Sequence, residues 1–286
     1  MSSGEIFKSG SVWLRTDFHL HTKSDKEFEY SSEENQFVNA YVQALKSADI
    51  HIGVITNHNK FNLEEFKALR KNARREEIHL LPGVELSVND GENGIHTLVV
   101  FSEEWIENGN DYINQFLGVV FAGKVAAEYQ CENARCNYSL LDTITKLEEF
   151  RREFFLVFAH VEQKSGLWSE LGGGRIIDIG RNKCFVRRTL AFQKVRTHDN
   201  SRRVCRTKVK SWLKDWYPAE VEGSDCKSIE EIGRGDPCYL KIGDYTFEAI
   251  KYALMDYKNR LSVERQITGG RNNTLFFRKK WHPATE

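Results

Sequence analysis

Apolar residues in the first hundred positions switch between a two-residue and a helical rhythm. Val12 to Leu20 alternates in part and ends in histidines, which predicts a strand. Gln36 to Ala48 carries Phe37, Ala40, Tyr41, Ala44 and Leu45 at helical spacing, and a helix is expected there. Ile50 to Thr56 is rich in β-branched residues and reads as a second strand. Asn62, with Glu65 three positions later, predicts a helix start closed by a capping box. Ile78–Leu81 and Val84–Val88 read as a third strand interrupted at Pro82-Gly83. Asp90 to Gly94 reads as a turn and Ile95–Phe101 as a fourth strand.

Beyond Trp105 the rhythm loosens. Tyr112–Ala127 and Ser139–Glu153 are expected to be helical, and Phe154–Ala159 to be a buried strand ending in His160. Gly172-Gly173-Gly174 reads as a turn or loop. Thr189–Val195 and Ala219–Gly223 read as short strands, and Phe247–Tyr257 as an amphipathic helix. Strand–helix alternation over this length implies a parallel sheet, with polar residues gathered at the C-terminal strand ends. In an α/β barrel those ends form one rim, where active sites sit. Ser262 to Glu286 looks irregular, so a main unit over 1–261 and an extension over 262–286 are expected.

A length of 286 residues suits one large barrel or two modest domains. No apolar stretch reaches the length of a membrane span, and Met1–Phe7 lacks an apolar signal region. The six cysteines form no CxxC pair and read as free thiols in a reducing, cytoplasmic setting. Net charge is zero, yet Arg181 to Lys210 holds eleven Lys or Arg against Asp199 alone. That run is either a solvated face or a track for the phosphates of a nucleic acid.

His19 and His21 lie two apart at the end of the first strand, where both side chains face one way and can hold one cation or two adjacent ones. His58 follows the second strand, Glu85 sits in the third, His96 opens the fourth and His160 follows the fifth. Imidazoles combined with a carboxylate suit Zn²⁺, Mn²⁺ or Fe²⁺ better than Mg²⁺ or Ca²⁺.

Thr16-Asp17-Phe18-His19-Leu20-His21-Thr22 resembles the first motif of the PHP (polymerase and histidinol phosphatase) superfamily. Ile55-Thr56-Asn57-His58 resembles its second motif, Pro82-Gly83-Val84-Glu85 its third, and Gly223-Ser224-Asp225-Cys226-Lys227 its last. The similarity runs from about Val12 to Leu261 and is nearest to the TrlF-type modules joined to ABC- or SMC-like ATPases. The resemblance implies a distorted (β/α)7 barrel, two to three divalent transition metals (Zn, Mn or Fe), and hydrolysis of phosphate esters. It implies metal ligands at His19, His21, His58, Glu85, His96, His160 and Asp225. Asp25 is the choice for a further ligand, with Glu27 in reserve.

Two positions depart from the family pattern. Asn57 replaces a common aspartate, and Lys227 replaces a histidine ligand. An ammonium has no lone pair for a metal. Lys227 therefore either costs the site one metal, leaving it degenerate, or substitutes its own charge and holds a substrate phosphate. Arg15 and Lys23 are further candidate phosphate clamps. The leading expectation is a phosphoesterase acting on nucleotides or nucleic acid. The competing ones are a degenerate module that binds nucleic acid or regulates an ATPase partner, and an amidohydrolase, whose barrels also begin with HxH. No phosphate-binding loop of the GxxxxGK[ST] kind is present, so any ATPase would lie on another chain or beyond this one.

Overall fold

The computed structural model describes residues 6–8, 10–195, 204–214 and 216–265. Among them, nine strands form one sheet: β1 (Val12–Leu20), β2 (Ile50–Ile55), β3 (His79–Val88), β4 (Ile95–Phe101), β5 (Phe154–Phe158), β6 (Thr189–Gln193), β7 (Ala219–Val221), β8 (Cys238–Ile242) and β9 (Leu261–Ser262). Their order across the sheet is β7-β6-β5-β4-β3-β2-β1-β8-β9. The sheet curls into a nearly closed barrel. Beyond β7 the chain reaches β1 at the C-terminal strand ends, where Asp225 N–H donates to His19 O at 2.8 Å and Cys226 bridges to Leu20.

Alternation divides the apolar residues between two cores. Leu14, Phe18, Ile52, Val54, Leu98 and Val157 fill the barrel. Phe247, Ile250 and Leu254, from helix Phe247–Met255, join that core at the N-terminal strand ends. Leu45, Phe66, Leu69, Phe116 and Trp168 form the outer core between the sheet and its covering helices. None of the six cysteines forms a disulfide, and no helix among the described residues is long and apolar enough to cross a membrane.

Several expectations need correction. The strands are not all parallel: β4 runs antiparallel to both β3 and β5, and β8 antiparallel to β1. A tight turn, not a helical crossover, joins β3 to β4, so the architecture is a mixed barrel and not seven repeated strand–helix units. Pro82-Gly83 does not interrupt β3. Parallel pairing with β2 ends at Pro82 and antiparallel pairing with β4 begins at Gly83, so the imino acid sits where the strand changes partners. Of Gly172-Gly173-Gly174, the last two open a helix (Gly173–Gly180) and Gly172 caps it, so they are not a loop. A Cβ on Gly173 would come within 2.8 Å of the Trp212 ring, and one on Gly180 within 2.6 Å of Leu213, so these glycines permit close approach to helix Arg206–Leu213. The capping box is half formed. Asn62 accepts from Glu65 N–H at 3.1 Å, but the Glu65 carboxylate accepts from the Thr22 hydroxyl. β9 ends at Ser262, and residues 266–286, most of the expected extension, lie outside the described ones.

Candidate metal centre

Strict alternation from Phe18, which faces the barrel interior, would turn Leu20 inward and His19 and His21 outward. The structure does the reverse because β1 carries one extra residue. From Asp17 to Leu20 it advances three positions while β2 advances two, from Gly53 to Ile55. Such a bulge flips every side chain beyond it. Leu20 joins the outer core, and both histidines turn inward. Asp17 holds the bulge, accepting from His19 N–H at 3.0 Å and from the Ser224 N–H and hydroxyl. Burial pushes its carboxyl up, against these hydrogen bonds.

Three of the other strands deliver their residues by plain alternation. His58 continues the inward face of β2, Glu85 that of β3 and His96 that of β4. Asp225, four residues past β7, has a left-handed φ of 49°. His160 also depends on a turn. Ala159 already faces inward, and a left-handed turn at His160, with φ of 27°, brings its ring to the cluster. Gly166 makes this turn possible, since a Cβ there would lie 2.4 Å from His160 O. A Cβ on Gly223 would likewise come within 2.7 Å of His19 Cβ.

The cluster centres on Glu85, which is 1% exposed. Its Oε2 lies 2.6 Å from His19 Nε2, 3.3 Å from His21 Nε2 and 3.2 Å from His58 Nε2. Its Oε1 lies 2.8 Å from His96 Nδ1 and 3.5 Å from His160 Nε2. Asp225 Oδ1 is 3.3 Å from His21 Nε2 and 3.8 Å from His19 Nε2. The carboxylate thus joins two ligand groups, one on each oxygen.

What lies behind each ring decides which nitrogen is bare. Gln193 Nε2 donates to Gly223 O at 3.4 Å, so its Oε1, 2.9 Å from His19 Nδ1, must accept a proton from that nitrogen. Asp25 Oδ2 accepts from His58 N–H at 2.6 Å and lies 2.9 Å from His58 Nδ1 and 3.1 Å from His21 Nδ1. The carbonyl of Glu132, 3.2 Å from His96 Nε2, can only accept. His19, His58 and His96 therefore each have their other nitrogen free to turn, unprotonated, toward Glu85, and His21 would do so once a cation displaced the second proton its carboxylate neighbours hold. Backing of this kind orients imidazoles that ligate metals. Among the described residues, Glu85 Oε1 and His96 Nδ1, 2.8 Å apart, are both buried without a hydrogen-bond partner. Lone pairs facing lone pairs in a buried site are costly unless a cation sits between them. Three ligand groups are close enough to share an ion: His19–His21–Glu85, His58–Glu85–His96 and His21–Asp25–His58. The residues present fit divalent transition metals.

Titration follows from the same crowding. Burial opposes the charge of Glu85, but His19, His58 and His96 outweigh it and hold the carboxyl well below the usual range. Burial also opposes a proton on His21, yet Asp225, Asp25 and Glu85 pull that ring up to about 10. Asp25 and Asp225 are held low by histidines despite burial. His160 is pushed down by burial.

Of the residues expected at the site, His19, His21, Asp25, His58, Glu85, His96, His160 and Asp225 come together. Lys227 joins them at the mouth, its Nζ 3.1 Å from Glu27 Oε2 and 3.3 Å from Asp225 Oδ1. Burial disfavours its charge, but Asp225, Glu85 and Glu27 more than compensate, so the ammonium is retained. Arg15 does not reach the cluster. Its guanidinium donates to Ala48 O at 2.6 Å and Gly233 O at 2.7 Å. Lys23 turns to Glu34 and the Phe37 ring.

Among the described residues, the basic run reaches the centre through Lys194, whose Nζ lies 3.6 Å from Asp225 Oδ2, and elsewhere turns to other carboxylates. Arg187 and Arg188 precede β6, at the opposite end from Gln193, and both pair with Glu148. Arg188 also reaches Glu153, and Arg206 pairs with Glu220. Arg202 and Arg203 lie outside the described residues. Sequence reasoning missed Gln193, the Glu132 carbonyl, and Gln163 and Lys164, which line the mouth of the 180 Å³ recess over the cluster. Inward alternation along β6 was the available signal for Gln193; a backbone carbonyl leaves none.

No family model and no curated protein matches the sequence. Solved structures do. A two-domain protein from Bacteroides vulgatus, containing a predicted PHP-like metal-dependent phosphoesterase, is 14% identical with a TM-score of 0.51. The match covers 86% of this chain and 63% of that one, which shows a shared fold. A candidate metal-dependent phosphoesterase from Bifidobacterium adolescentis matches with a TM-score of 0.48 at 11% identity, over 84% of this chain and 95% of that one. An amidohydrolase from Chromobacterium violaceum matches at 0.43 and 14%, over 77% and 90%.

Proposed function

We propose that this chain is a metal-dependent hydrolase of phosphate esters with a binuclear centre bridged by Glu85. The observation that carries this reading is the set of buried, bare imidazole nitrogens turned toward one carboxylate. His19, His21 and Asp225 would hold one ion on the Oε2 side of Glu85. His96 and His160 would hold the other on the Oε1 side. His58 lies near both groups, and Asp25 either orients His21 and His58 or joins them as a ligand. Bound Zn²⁺, Mn²⁺ or Fe²⁺ would supply positive charge to the ester oxygens and lower the pKa of an attacking water.

The chain's own residues supply the rest. Lys227, fixed between Glu27 and Asp225, brings a cation to the side where a third metal would otherwise stand. Lys164 is exposed at the mouth of the recess and would meet an incoming phosphate. The recess is small and flanked by Glu27 and Glu132, so it suits a terminal phosphate better than the interior of a polyanion. A nucleotide fits this description; a nucleic-acid track does not.

The test is metal analysis of protein purified without chelators, followed by assay on p-nitrophenyl phosphate and its bis ester with Mn²⁺, Zn²⁺ or Fe²⁺. About two metals per chain and faster turnover of the monoester are expected. Protein that stays metal-free at saturating Mn²⁺ and Zn²⁺, or that is loaded but inert on both esters, would overturn the reading.

A further inference from the structure

Asn59 follows the ligand His58 and is fully buried, with a left-handed φ of 50°. Asparagine tolerates that conformation better than most residues. Its backbone N–H donates to Glu85 O at 2.8 Å, and its Oδ1 accepts from Ser87 N–H at 2.9 Å. These bonds fix the amide and aim Nδ2 away from β3. Nδ2 then gathers three carbonyls of one loop: Tyr129 O at 3.0 Å, Cys131 O at 2.9 Å and Ala134 O at 2.7 Å. The same loop offers the Glu132 carbonyl to His96 Nε2. The loop itself is only partly buried. One side chain thus connects the strand that carries Glu85 to the backbone that decides which nitrogen of His96 is bare.

We infer that Asn59 is a positioning residue for the metal centre. By curling residues 129–134 around its amide, it presents the Glu132 carbonyl to His96, holds that ring with its proton on Nε2, and so turns Nδ1 toward Glu85. The inference rests on the metal reading of the centre. It goes beyond it by assigning one of the two ion positions, that of His96 and His160, to the control of a residue that touches no metal.

The experiment compares wild type with Asn59→Asp, which keeps the acceptor for Ser87 but loses both amide hydrogens. Asn59→Gly is the second variant; it suits the positive φ and removes the side chain, should the aspartate variant fail to fold. Mn²⁺ and Co²⁺ titrations give the affinity of each position, and imidazole NMR of the metal-free protein gives the His96 tautomer. The position of His96 and His160 is expected to lose roughly 10- to 100-fold in affinity, as is usual when the group behind a ligand is removed. The other position should change little, and the His96 signal should move from one tautomer to a mixture. Unchanged affinity and tautomer in a folded variant would overturn the inference while leaving the centre intact. Equal weakening of both positions would reduce Asn59 to a general structural role and also overturn it. A wild-type protein that takes up no metal would sink the centre and this inference together.

Discussion

The two ends of the barrel treat a buried histidine in opposite ways. At the C-terminal ends of the strands, His21 is pulled up to about 10 because three carboxylates outweigh its burial. At the other end, His79 is equally enclosed, yet burial, with Arg74 and Arg70 nearby, pushes it down to about 4. His79 stacks on Tyr245 at 5.6 Å beside a cavity of about 340 Å³. Charges at that end are largely matched: Arg74 meets Glu103, and Arg188 meets Glu148 and Glu153. At the C-terminal strand ends, three carboxylates crowd the histidine rings, and Glu85 Oε1 and His96 Nδ1, 2.8 Å apart, find no hydrogen-bond partner among the described residues. Burial alone therefore does not mark a functional histidine. The company of unmatched carboxylates does.

The sharpest way to break this contrast is Glu85→Gln. It removes the shared charge, so metal content should fall below one ion per chain and turnover by roughly 100-fold or more. Elemental analysis and a phosphomonoester assay check this. Retained stoichiometry would mean that Glu85 does not join the two ligand groups.

Next in size is the pH response of the opposite end. With His79 near 4 when folded and 6.5 when unfolded, the unfolded chain takes up the proton first as pH falls. Stability from this residue is complete above pH 6.5 and is lost progressively down to about pH 4, by about 3 kcal/mol. Urea denaturation of wild type and His79→Phe across that window should show a flatter slope in the variant. Parallel slopes would contradict the assignment.

Gln193→Leu tests the metal end without touching a ligand. Loss of the acceptor behind His19 should weaken one metal position roughly 10- to 100-fold, read by metal titration. Thermal unfolding of the metal-free protein should change much less than that. The smallest effect is expected for Tyr245→Phe, which deletes the bond from the hydroxyl to Glu77 O. A cost of about 1 kcal/mol is expected, with metal affinity untouched. A shift in metal affinity would show that the two ends are coupled.

Much of this arrangement was legible before any coordinates. β1 and β4 run over the residues their periodicity marks, and the histidines and Glu85 converge as their strand-end positions imply. The bulge in β1 was not legible, because period-two alternation does not announce one extra residue; only pairing with β2 exposes it. The antiparallel course of β4 was hidden for a related reason, since hydrophobicity carries no strand direction. Gly172-Gly173-Gly174 read as a turn or loop because a helix crossing that needs missing side chains looks, in one dimension, like a break. The basic run misled because charge along a chain says nothing of which barrel end it occupies, and Glu148, Glu153 and Glu220 lie far off in sequence.

If the cluster around Glu85 holds ions as proposed, it would also tie the endurance of the fold to their supply. A cation that binds only the native state stabilises it in proportion to the logarithm of its free concentration, by about 2.7 kcal/mol at a hundredfold excess over its dissociation constant. Melting temperature would thus act as a meter of free metal. Starved of ions, the chain would persist as a looser and more protease-sensitive population, so abundance, and not catalysis alone, would follow metal availability.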